Sequence, residues 1–346
     1  MRKSLLNPAW LSGLGILTLG TLSQSAPALP KYHLVRTIKL NDDGMWDYLM
    51  TTANPHRLYV SRSTHVDVIN LDNGSFAGSI TPTPGVHGIA VDEAAGKGYT
   101  SDGQDATVTV FDVTSRKVLK TIPVGQGPDA IIFDPKTERV FTFNGRDNSS
   151  TVIDCKTDKV IGTIVLPGRP EFAVTDGKGH VYDNIEDKSE IVSIDANQLI
   201  IDAQWSIFPG EGPSGLSIDS THGRLYSVCS NQLMVISDAN RHKVVDTAAI
   251  GRGPDAAAFD TDYKVALSSN GQDGTLTVVM KNANGAFVPI GEVKTMISAR
   301  TLSIDPKTHH VYLFGALMEP QAPGGNEPRW NRKAIPGSFT VMDFAP

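Results

Sequence analysis

Residues 124–165 read VGQGPDAIIFDPKTERVFTFNGRDNSSTVIDCKTDKVIGTIV, with four short runs of β-branched and aromatic residues separated by Gly, Pro, Asn and Asp. The runs are Ala130–Phe133, Arg139–Phe143, Thr151–Ile153 and Lys159–Val165. Each has the length of a strand and is bounded by turn residues. Four antiparallel strands in so short a span make one small twisted sheet. Such a sheet cannot bury both its faces alone and needs neighbours of the same kind.

The neighbours are in the sequence. The position after each Gly-x-Pro-like turn falls at Asp47, His87, Asp129, Glu171, Ser214, Asp255 and Arg300, with spacings of 40, 42, 42, 43, 41 and 45. Seven positions at a near-constant period predict seven repeats. Five residues further on stand Asp92, Asp134, Asp176, Asp219, Asp260 and Asp305, with Thr52 as the exception. Asp134–Thr137 and Asp305–Thr308 are both Asp-Pro-Lys-Thr, the chemistry of a tight turn between first and second strands. The last repeat stops after its third strand, Phe339–Asp343, while Leu34–Leu40 matches the fourth-strand pattern of Val118–Val124. The expectation is an all-β, seven-bladed β-propeller of four-stranded antiparallel blades. Residues 34–40 would complete the C-terminal blade, so that no sheet edge stays open.

Leu58-Tyr59-Val60-Ser61, Thr107-Val108-Thr109-Val110 and Lys159-Val160-Ile161-Gly162-Thr163-Ile164 carry the signatures of successive strands. On these, the chain resembles the YVTN-repeat, YncE-like propeller family across residues 32–346. The resemblance implies the fold and says little of activity, because propellers host unrelated functions.

Residues 1–28 read as a signal peptide. Arg2 and Lys3 precede an apolar run of 14 residues, Ala9–Leu22, and Ala26-Pro27-Ala28 offers a cleavage site. The run is too short to span a bilayer as a helix, and no later segment is long and apolar enough. A periplasmic or secreted chain is expected, with residues 29–346 forming one domain, monomeric. Loss of Arg2 and Lys3 takes the formal charge from −6 to −8, a poor basis for binding the phosphate backbone of nucleic acid. Cys155 and Cys229 fall in different repeats and are read as unpaired small hydrophobes. There is no C-x-x-C-H, P-loop or G-x-S-x-G pattern.

In a propeller blade the fourth-to-first connections approach the central channel on the top face. The seven period-marking residues therefore ring its mouth, with Trp46 and Tyr48 beside them. Four carboxylates, one imidazole and one guanidinium make an oxygen-rich funnel for a small molecule or a protein partner. The ligand-binding set is Trp46, Asp47, Tyr48, Asp129, Glu171, Ser214, Asp255 and Trp330. Asp after Gly-Pro also caps turns, and the identical Gly-Pro-Asp-Ala at 127–130 and 253–256 suits a structural repeat equally well. The Asn-Gly and Asp-Gly steps at Asp102-Gly103, Asn144-Gly145 and Asn270-Gly271 read as two-residue hairpins. Residues 315–337 make one long connection in the last blade, with four prolines and with Trp330 amid Arg329, Arg332 and Lys333. It is either a lid over the acidic funnel or a surface loop. A second functional reading follows from resemblance to propeller lactonases and antibiotic lyases. It implies a metal-assisted hydrolase or lyase, with His87 as base, Arg300 as electrophilic partner, and Asp47, Glu171 and Asp255 holding a divalent cation such as Ca²⁺ or Mg²⁺.

Overall fold

The computed structural model describes residues 1, 29–40, 45–320 and 332–346. It contains seven four-stranded antiparallel sheets. The blade read first from the sequence is formed by Pro128–Asp134, Arg139–Asn144, Ser149–Asp154 and Lys159–Val165. The innermost strands Leu49–Ala53, Val86–Asp92, Pro128–Asp134, Pro170–Thr175, Pro213–Asp219, Pro254–Asp260 and Arg300–Ile304 pack each against the next around a central channel.

The ring closes as expected. His33–Lys39 pairs antiparallel with Thr340–Ala345, with Lys39 opposite Thr340 and His33 opposite Ala345. Asp343, almost fully buried, accepts from Arg36 Nε and Nη2 at 3.1 and 2.8 Å on one oxygen. His310 Nδ1 lies 2.6 Å from the other. Leu40 and Ile38 then pack with Trp46, Phe314 and Phe339 in the cluster between the last and first blades.

The core lies between blades, because each sheet presents an apolar face to its neighbour and has no other partner. Both cysteines are free and buried within it. Burial first, against a hydrogen bond with Tyr99 and with the Asp92 charge adding to it, pushes the thiol of Cys155 up to about 11, and burial pushes that of Cys229 up to about 12, both away from the thiolate form.

The recurrent Asp at the end of six of the seven inner strands caps the turn. Asp134 Oδ2 accepts from the backbone N–H and hydroxyl of Thr137 at 3.0 and 2.6 Å, and its Oδ1 accepts from Thr175 of the next blade at 2.6 Å. Asp305 accepts from Lys307 N at 2.9 Å and contacts His56 Nε2 at 2.8 Å across the ring closure. One local expectation is corrected. The loops after Asp102, Asn144 and Asn270 are four residues long, and their left-handed residue is the last one: Ala106, Asn148 and Gly274. Asn144 is buried and ties two strands together, its Nδ2 donating to Ser149 and Thr151 at 3.0 Å each. The Asn and Asp are selected as strand ties, which the hairpin reading did not consider.

Candidate functional site

The funnel residues come from one repeated device. In five blades the first-to-second strand ladder is interrupted just after the proline-equivalent position, as between Pro128 and Ile131 or Pro170 and Ala173. The residues in that gap (His87, Asp129, Glu171, Ser214 and Asp255) leave the ladder at the channel mouth. Bulges of this kind re-aim side chains beside functional sites. Arg300 and Asp47 occupy the same level in the two remaining blades.

Their side chains meet. His87 Nδ1 lies 2.7 Å from Asp47 Oδ2 and 3.7 Å from Asp129 Oδ1. Single ligand atoms of Asp47, His87 and Asp129 all fall within 4.8 Å of one another. On the other side of Asp47, Arg300 Nη2 donates to the carbonyl of Trp46 at 3.0 Å, and its Nε stands 3.8 Å from Asp255 Oδ2. Its guanidinium lies 5.9 Å from the Trp46 ring centroid. Tyr48 crosses the channel, its hydroxyl donating to the Glu171 carbonyl at 3.4 Å and its ring 5.3 Å from that of Phe172. It divides the polar mouth from an apolar cavity of about 330 Å³ in the channel, lined by residues such as Ile89, Ile131, Phe133 and Val174.

Ser214 and Trp46, also expected at the site, make contacts that support the fold. Ser214 Oγ donates to the backbone carbonyl of Pro254 at 3.1 Å. Trp46 is a buried anchor set edge-on to Phe314 and Phe339 at 5.9 and 5.3 Å, while its main chain supports Arg300. Trp330 lies outside the described residues. The trio at metal-ligand spacing, Asp47, His87 and Asp129, shares only Asp47 with the set Asp47, Glu171 and Asp255 expected from the sequence.

Two cavities open on the mouth. One, of about 790 Å³, is lined by His87, Asp129 and Glu171 with Gln104, Arg146 and Arg169. The other, of about 570 Å³, is lined by Trp46, Asp255 and Arg300 and by Arg332 and Lys333 from the long last-blade connection. The base of that connection is a short ribbon, with Met318 bridged to Ala334 and Glu319 N donating to Lys333 O at 2.8 Å.

The electrostatics are unusual for a surface. Burial, then the neighbouring Asp129, pushes the Glu171 carboxyl up to about 8 against the pull of Arg169. Burial and then Asp47 raise Asp129 to about 6, and burial does the same for Asp255 against the pull of Arg300. The hydrogen bond to Asp47 raises His87 despite its own burial, with the Asp129 charge adding to it. Asp129 Oδ1 and Asp255 Oδ2 are buried with no hydrogen-bond partner among the described residues. The turn-capping reading of these two aspartates therefore lacks its hydrogen bonds, whereas the strand-end aspartates have theirs.

Two participants escaped the sequence reading. Gly103 lets the His87 ring lie where a Cβ would come within 2.9 Å of it. Asp183 is fully buried with neither oxygen hydrogen-bonded among the described residues, and burial followed by the Glu171 charge holds its carboxyl well above the usual range. The signal existed. Thr100-x-Asp102, Thr142-x-Asn144 and Ser268-x-Asn270 share a hydroxyl-x-Asp/Asn pattern, with hydroxyl to carboxyl or amide oxygen distances of 2.8, 2.9 and 2.9 Å. Asp183-Asn184-Ile185 replaces both ends of it.

No protein-family model matches this chain, and no curated protein is similar to it. Among solved structures, a chain of Kuenenia stuttgartiensis hydrazine synthase is similar at 14% identity and a TM-score of 0.51, over 71% of this chain and 97% of that one. At that identity the likeness concerns the fold alone. The class the structure defines is a seven-bladed β-propeller with a carboxylate-rich, histidine-bearing mouth on its channel. Among the described residues no helix is long and apolar enough to cross a membrane.

Proposed function

We propose that this chain is an exported propeller of the YVTN-repeat, YncE-like kind that binds a small ligand bearing a cationic centre at the funnel. The observation that carries the reading is the pair of buried carboxylate oxygens on Asp129 and Asp255 that have no hydrogen-bond partner among the described residues and face only a cation at 3.7 and 3.8 Å. Burying a charged oxygen without a hydrogen bond destabilises a fold and is retained where a ligand needs it. Arg300, Arg332 and Lys333 around the second cavity suit an anionic group on the same ligand, and a protein partner presenting such side chains would use the same surface. Thermal melting with a panel of small amines, amino acids and dicarboxylates tests this, because a ligand of the folded state raises the melting point by mass action. Cationic and zwitterionic compounds should stabilise the wild type and lose their effect on Asp129→Asn/Asp255→Asn. Equal stabilisation of both proteins would refute the reading.

A second reading, a hydrolase or lyase, draws on the 2.7 Å contact that orients the His87 imidazole against Asp47. In it His87 takes a proton from the substrate and Arg300 receives developing negative charge. Under this reading His87→Ala abolishes turnover of a bound compound while leaving its binding nearly intact.

A further inference from the structure

We propose that Asp47, His87 and Asp129 form a binding site for a divalent first-row transition-metal ion. The proposal deepens the funnel reading and rests on it, by identifying the cationic centre with a metal. Three observations support it. One carboxylate oxygen from each aspartate and one imidazole nitrogen converge within 4.8 Å, from three different blades. Asp129 Oδ1 faces His87 Nδ1 at 3.7 Å yet is shut off from solvent and has no hydrogen-bond partner among the described residues. That geometry suits an oxygen that coordinates a cation together with the other two groups. A Cβ at Gly103 would come within 2.9 Å of His87 Cδ2 and Nε2, so the glycine lets the imidazole keep the position from which Nδ1 faces both aspartates.

The donor set narrows the ion. Calcium and magnesium take all-oxygen shells, and an imidazole in the first shell favours ions such as Zn²⁺ or Mn²⁺. On binding, His87 Nδ1 releases its proton to solvent and gives its lone pair to the metal, while each aspartate contributes one oxygen. Three protein ligands leave coordination positions open toward the cavity of about 790 Å³, where water or a donor atom of the organic ligand completes the shell. Gln104, Arg146, Arg169 and Glu171 line that space and are placed to contact whatever the ion holds.

The test uses the untagged chain, stripped with EDTA and titrated with Zn²⁺, Mn²⁺, Ca²⁺ or Mg²⁺ alone, read by calorimetry and by thermal melting. Binding of one Zn²⁺ or Mn²⁺ per chain, with weaker or no response to Ca²⁺ and Mg²⁺, is expected. Loss of an outer-shell partner typically weakens a metal site about 10–100-fold, so removing a ligand in His87→Ala or Asp47→Asn should cost about 100-fold or more. Asp262→Asn, an exposed carboxylate in the turn beyond the far end of its inner strand, should retain the ion. Circular dichroism confirms that each variant is folded, and Mn²⁺ paramagnetic broadening of the His87 imidazole proton resonances gives a readout independent of melting. Absence of binding, or binding that survives His87→Ala and Asp47→Asn, overturns the proposal. Because the metal is the only probe, such a result leaves the amine and zwitterion test of the funnel intact.

Discussion

Deletion of residues 29–40 is expected to abolish cooperative folding of the whole ring. His33–Lys39 supplies the outermost strand of the last blade, and its loss exposes the full edge of Thr340–Ala345. Bare edges template aggregation. The deletion also removes Arg36, leaving the buried Asp343 with His310 as its remaining side-chain partner among the described residues, and takes Leu40 and Ile38 out of the cluster that seats Trp46. Since the Trp46 carbonyl holds Arg300, the funnel would lose its geometry with its closure. Calorimetry should show no sharp transition, and sedimentation should show aggregates. Arg36→Ala isolates the polar part, with an expected cost of about 1–3 kcal/mol for a buried group left short of a partner. An unchanged melting temperature in the deletion would mean that the clasp is not needed.

The second large effect is a gain in stability. Glu171 and Asp183 hold their protons in the folded chain at pH values where the unfolded chain has released them. The sign follows. A carboxyl whose folded pKa lies above its unfolded value loses stability as pH rises from the unfolded value to the folded one. For Glu171 that window runs from 4.5 to about 8. Each group costs at most about 1.4 kcal/mol per pH unit within its window. Glu171→Gln and Asp183→Asn should therefore melt like the wild type near pH 4 and above it by a margin that widens toward pH 8. Melting curves that stay parallel across this range would show that neither carboxyl carries a raised pKa.

The architecture was legible because seven turns at a near-constant spacing mark the period and because a missing fourth strand at one end has its match at the other. Propeller sheets follow from local strand and turn chemistry, which a single sequence carries. The funnel was legible only in part. Repeat register placed Asp47, His87, Asp129, Glu171, Asp255 and Arg300 at one level, and the structure brings Asp47, His87 and Asp129 into contact. Register could not say which neighbours touch, because that depends on bulges and on side-chain length across the channel. Ser214 shows the limit: the same register, with its hydroxyl spent on the Pro254 carbonyl. Asp183 was missed because Asp183-Asn184-Ile185 departs from a hydroxyl-x-Asp/Asn pattern that shows only when the second strands of several blades are aligned.

The claim on which the rest depends is that the funnel carboxylates serve a ligand and not the fold. Urea unfolding of Asp129→Asn/Asp255→Asn at pH 7, without added metal or ligand, tests it most directly. Both oxygens lack hydrogen-bond partners among the described residues, so the double variant should be more stable than the wild type. A clearly less stable variant would mean that these side chains hold the blades together, and the case for a ligand site at the mouth would fail.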